Sequence, residues 1–152
     1  MENIKELYIK DAIELKEKNI RILEKVYISL QNELENNISS EDAQKIKYNM
    51  LVIRYTLNEE FNKKKEYNEF YNMTNNKMVI YMDYNNSLQN ELQKKLDILN
   101  IYINNSVAID KAIENENTDL LIKKYNFKDW DIKLIKFIIK NYKNDNNQKK
   151  IK

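Results

Sequence analysis

Apolar side chains recur along the start of the chain at Ile9, Ile13, Ile20, Leu23, Tyr27, Leu30 and Leu34, with Lys16 as the one interruption. Steps of four and three keep these positions on one side of an α-helix. A helix from Glu2 to Glu35 is expected, about 50 Å long at the α-helical rise. Its outer face pairs Glu6 with Lys10, Glu14 with Lys18 and Glu17 with Arg21 in the favourable acid-first, four-apart order. Asn36 and Asn37 end the pattern. Ser39 followed by Asp42 then has the spacing of a capping box, with Asp in the usual Glu place.

A second helix is read from Ala43, Ile46, Met50, Ile53 and Leu57, shifting by four to Phe61 and continuing through Lys64, Tyr67 and Tyr71. The shift is a stutter. The charged stretch between Asn58 and Glu66 stays helical through the pairs Glu59 with Lys63 and Glu60 with Lys64. The next break falls at Met73–Lys77, where Asn75 or Asn76 takes the left-handed backbone. A third helix begins at Met78 and runs through Tyr81, Tyr84, Leu88, Leu92, Leu96, Leu99 and Ile103. Shorter helices follow, capped by Ser106, Thr118 and Asp129, with Asn126 ending the second and the third running from Trp130 to Tyr142.

The expected fold is all-α: three long antiparallel helices in a coiled-coil-like bundle, capped by two or three short C-terminal helices. Residues 1–143 form one domain, with the long-helix bundle in 1–105 and the short-helix cap in 106–143. The polar tail 144–152 is expected to fray. A sheet is not expected.

Composition strengthens this reading by what is missing. The 152 residues include no Gly, Pro, Cys or His, with 42 % hydrophobic content. Ordinary usage is about 7 % Gly and 5 % Pro. Excess Lys, Asn, Ile and Tyr, with Arg only at Arg21 and Arg54, fits coding bias in an AT-rich genome. A sheet protein would need glycine for its tight turns, whereas helices can end on Asn and Ser. Without Cys there are no disulfides, thiol nucleophiles or thiolate metal sites. Absence of His and Gly removes the common neutral-pH base and the phosphate-cradling loops. Carboxylates spaced by three, Asp11 with Glu14 and Glu17, and Glu66 with Glu69, lie beside lysines and read as solvated surface. No catalytic residue, metal or cofactor is therefore expected. No apolar run reaches signal-peptide or membrane-span length, which predicts a cytoplasmic protein.

Two features point to partners. Tyr67, Tyr71, Met73, Met78, Tyr81 and Tyr84 gather around the second turn, with Phe70 and Met82 among them. Tyr is favoured at binding hot spots and Met at adaptable surfaces, while burial in the end of a bundle core would account for them equally well. The second feature is charge. Residues 1–117 carry 16 Lys and Arg against 20 Asp and Glu, and residues 118–152 carry 10 against 4, giving the net +2 of the chain. Lys133, Lys136, Lys140 and Lys143 align as a basic stripe on the last helix, opposite an apolar face of Trp130, Leu134, Phe137, Ile138 and Ile139. Lys16 snorkels to the rim of its seam in this reading, or else fixes register.

The function expected is a non-enzymatic protein-interaction module: an adaptor, assembly factor or phage or mobile-element inhibitor whose partner is another protein. A nucleic-acid-binding accessory protein using the C-terminal stripe is the alternative, and the open helix faces also permit a homodimer. A carboxylate-metal enzyme is a weaker third reading.

Overall fold

The computed structural model describes residues 4–36, 38–83 and 87–151, with side chains described through Lys143 and that of residue 83 set aside. The protein is all-α: 82 % of the described residues are helical. The described residues form β1 (Ile4–Tyr8), α1 (Ile9–Glu35), α2 (Ser40–Thr74), β2 (Val79–Asp83), α3 (Leu88–Asn104), α4 (Ser106–Glu114), α5 (Thr118–Tyr125) and α6 (Asp129–Ile151). None of their helices is long and apolar enough to cross a membrane.

Helices α1 and α2 make a long antiparallel hairpin, and both α3 and α6 run antiparallel to α2. The ends of α2 and α5 rest on asparagine, as expected in a chain without glycine. Ser39 Oγ accepts from the Asp42 N–H at 3.2 Å and starts α2. Asn75 and Asn76 both take positive φ at its end, and Asn126 does so after α5. Asn76 has a second role. Helix α1 has no side-chain cap of its own, and the Lys10 N–H donates instead to Asn76 Oδ1 at 2.8 Å. The end of α2 thereby caps the start of α1.

The small sheet corrects the sequence reading. β1 pairs antiparallel with β2, Ile4 opposite Asp83 and Tyr8 opposite Val79. The first helix therefore begins at Ile9, not Glu2, and Glu6 cannot form its helical pair with Lys10. The third helix begins after Ser87, whose Oγ accepts from the Asn90 N–H at 3.3 Å. Extrapolating the leucine register backwards carried the helix through that cap and into Val79–Ile80–Tyr81, a β-branched and aromatic run suited to a strand. At the other end, α6 continues as helical backbone to Ile151, beyond the expected end at Tyr142.

The principal core lies between α2 and the helices that follow it, and not in the α1 seam. Leu51 and Val52 of α2, Leu99 and Tyr102 of α3, Ile109 of α4, Leu121 of α5, Phe127, and Ile135 and Ile138 of α6 form one cluster. Tyr48 joins it, stacked on Tyr142 at 4.4 Å between centroids and edge-on to Tyr102 at 6.2 Å. Burial, reinforced by a 2.8 Å hydrogen bond donated to Asp110, pushes the Tyr102 hydroxyl above its ordinary range. The segments expected to cap a bundle thus supply most of its interior. A smaller core of Ile9, Ala12 and Tyr67, with Ile13, Phe70 and Ile80 against it, fastens the sheet to the hairpin. Along α1 the seam is buried at Ile9, Ile20 and Leu23 but only half-buried at Tyr27, Leu30 and Leu34.

Replacing Ser87 by Ala is expected to cost about 1 kcal/mol of stability, the usual worth of an N-cap. Urea denaturation checks this, and an unchanged midpoint would place the start of α3 elsewhere.

Candidate functional site

Three surfaces hold the residues of interest, and two of them follow from how α1 meets α2. Midway along the hairpin both helices turn a polar side chain inward. Lys16, 8 % exposed, lies 3.1 Å from Oε2 of Glu60, itself 3 % exposed, and donates to its Oε1 at 3.2 Å. Asn19 Nδ2 donates to the same carboxylate at 3.3 Å. Lys16 is therefore ion-paired inside the seam and does not snorkel. The stutter expected at Phe61 is displaced as well: Thr56 and Glu60 face inward and Phe61 is exposed. The acids of this region pair between helices more than along them. Glu17 meets Lys64 at 3.6 Å and Glu59 meets Lys95 of α3 at 2.7 Å.

The Lys16–Glu60 and Glu59–Lys95 pairs line a cavity of about 830 Å³ bounded by α1, α2, α3 and the start of α6. Lys16, Tyr55, Glu59, Glu60, Glu91, Lys95 and Trp130 are among its walls. Burial raises the Glu91 carboxyl above its ordinary value, more than Lys95 and Lys16 lower it. Burial also raises the Tyr55 hydroxyl, with Glu59 adding to the effect. Trp130, expected on the apolar face of α6, is 64 % exposed at the rim, and Lys128 Nζ lies 5.1 Å from its ring centroid. Because Lys16, Lys95 and Lys63 are each matched by a carboxylate, the lining has little net charge. Among the described residues no group of three or more metal-ligating side chains converges.

The second surface is the strand-bearing end of the hairpin, where the predicted Tyr and Met residues separate. Tyr67 is 9 % exposed and belongs to the small core. Met73 at 81 % and Tyr81 at 67 % stand in solvent, while Tyr71 and Met78 sit just inside the exposed range. Tyr84 lies outside the described residues. Strand geometry explains the division. Successive side chains point to opposite faces of the sheet, so Leu7, Ile80 and Met82 are half-buried towards the helices while Ile4, Tyr8 and Tyr81 point outwards. Helical periodicity alone does not bring Ile4 and Tyr8 to this surface, because only the strand pairing sets them beside Tyr81.

The basic stripe is where the spacing places it. Lys133, Lys136, Lys140 and Lys143 are all exposed on α6, and Lys143 makes a loose 4.0 Å contact with Glu114 of α4. Comparison with models of protein families, with curated proteins and with solved structures gives no match.

Removing one partner of a buried ion pair strands the other. Lys16→Met is therefore expected to destabilise the protein by about 3–5 kcal/mol, whereas Lys16→Met with Glu60→Leu recovers most of that loss. Equal losses in the single and double variants, read by denaturant unfolding, would contradict the pairing.

Glu91 gives a prediction in pH. Its folded-state value is raised, so its contribution is fully present below the ordinary carboxylate range, where the group is protonated folded and unfolded alike. That contribution is lost as pH rises through the raised value. Thermal unfolding from acid to neutral pH should show wild type losing stability relative to Glu91→Gln as pH increases, and a constant difference would refute the shift.

Proposed function

We propose that this chain is a non-enzymatic, cytoplasmic interaction module of adaptor, assembly-factor or mobile-element-inhibitor type, binding another protein through the strand-bearing end of its hairpin. One observation carries the reading: Ile4, Tyr8, Tyr81 and Met73 all expose large apolar side chains at that end. Contiguous apolar surface costs solubility and marks interaction sites. Tyr supplies rigid contact area with a polar tip, and Met adapts its shape to a partner. Tyr67 is excluded from the binding surface by its burial and holds the sheet from beneath.

The test compares wild type with Tyr71→Ala and Tyr81→Ala in capture from the source cell, followed by affinity measurement on the protein recovered. Loss of about 2 kcal/mol or more of binding with an unchanged melting temperature is expected. A lowered melting temperature with unchanged binding would assign these side chains to stability instead.

The exposure of all four stripe lysines favours a second reading, an accessory protein that binds nucleic acid. With no base-reading side chain placed among them, such binding would be independent of sequence. Four phosphate contacts give a salt slope near −3.6 on duplex DNA, roughly a hundredfold loss of affinity between about 50 and 200 mM salt. Changing the four lysines to Glu should abolish it and spare the fold, because the buried side of α6 is untouched. No binding to duplex DNA, single-stranded DNA or RNA at low salt would exclude this reading.

A further inference from the structure

We infer that the partner engaged by the β2 edge is a second copy of this chain, joined by antiparallel β2–β2 pairing about Tyr81 into a four-stranded sheet. The inference rests on the strand-bearing end being an interaction surface, and it follows from the register of the two strands.

That register places Tyr8 opposite Val79 and, one step on, Ile9 opposite Met78, where the Ile9 N–H donates to the Met78 carbonyl at 3.0 Å. Hydrogen-bonded and non-hydrogen-bonded pairs alternate along an antiparallel ladder. Leu7 with Ile80 and Lys5 with Met82 are therefore the bonded pairs within the chain. The backbone N–H and C=O groups of Val79, Tyr81 and Asp83 point away from β1, and those of Ile4, Glu6 and Tyr8 point away from β2. The sheet has two strands among the described residues, so each strand presents an edge with no third strand beside it. Such edges are templates for further pairing unless charge or proline blunts them.

The two edges differ in how well they match themselves. A two-fold dimer requires the edge to be complementary to its own copy. Centred on Glu6, β1 would set two carboxylates directly opposite each other, which is destabilising. It also carries Lys5 beside that acid. Centred on Tyr81, β2 sets tyrosine against tyrosine and Val79 against Asp83 at bonded positions, with Ile80 against Met82 between them. From Val79 to Met82 that strand holds no charged residue. Pairing β1 of one copy with β2 of the next would be head-to-tail, leaving a free edge at each end of a pair of copies. The β2–β2 arrangement closes with two copies, and it brings Tyr8, Val79 and Tyr81 of both copies onto one outer face. That doubled face would then be what another protein meets.

Sedimentation across a wide concentration range is the first measurement. The 18.5 kDa chain should associate to twice that mass. Tyr81→Lys, which places a charge at the centre of the edge, should remain monomeric with an unchanged helical spectrum and a melting temperature that, unlike that of the wild type, does not rise with protein concentration. Because the chain contains no cysteine, Tyr81→Cys offers a clean second probe. Bonded antiparallel pairs hold their Cα atoms about 5.5 Å apart, within disulfide reach, so mild oxidation should cross-link Tyr81→Cys into a dimer and leave Glu6→Cys monomeric. A wild type that stays monomeric at every concentration, a Tyr81→Lys variant that still dimerises, or preferential cross-linking through Glu6→Cys would each overturn the inference. A monomer that nevertheless captures another protein in a Tyr81-dependent way would remove the self-pairing and leave the interaction reading standing. A dimer that captures nothing would do the reverse.

Discussion

The alignment of α1 against α2 is set where Lys16 meets Glu60, and the strand-bearing end depends on that alignment. Both charges are taken out of water, which is tolerable when they satisfy each other and the carboxylate also accepts from Asn19. Sliding one helix by a turn would leave two uncompensated buried charges, a far larger penalty than the loss of a few apolar contacts. With the helices held in this alignment, Asn76 arrives at the open N-terminus of α1 and Tyr67 arrives beneath Ile9. The chain entering α1 is then brought alongside the chain leaving α2, and their extended segments pair.

The sequence made the helices legible because their signals are local and redundant. The α1 seam, the Ser39 cap and the asparagines at the ends of α2 and α5 are each readable within a few residues. The sheet was not legible for the opposite reason. Ile4 and Asp83 are neighbours only after the hairpin between them has formed, and five-residue runs such as Val79–Asp83 are too short for periodicity to separate strand from helix. Ser87 was the available local signal, since a serine before Leu88 with Asn85 and Asn86 ahead of it marks a helix start as plainly as Ser39 does.

The ion pairs show the same limit in another form. Glu60 and Lys64 are four apart and could have paired along α2, yet Glu60 takes Lys16 and Lys64 takes Glu17. Sequence spacing identifies which charges can meet on one helix, and packing decides which do. Trp130 illustrates the converse. Its position suited the apolar face of α6, but it falls in the first turn, where the helix borders the cavity, and there the indole is exposed.

The division of apolar side chains into two cores bears on where binding should occur. The large cluster draws on α2, α3, α4, α5 and α6 and anchors the protein as a whole, while the sheet is held by the small cluster around Ile9, Ala12 and Tyr67. An isolated two-stranded sheet is marginal in water and needs further strands or a packed face to persist. Here one face is packed through Ile80 and the other is open through Tyr8 and Tyr81. Local openings of such an element cost less than unfolding the main core. Whatever covers its outer face or extends its edge stabilises the element most in need of it, so binding energy and folding energy are coupled at this end of the molecule and nearly independent of the core at the other.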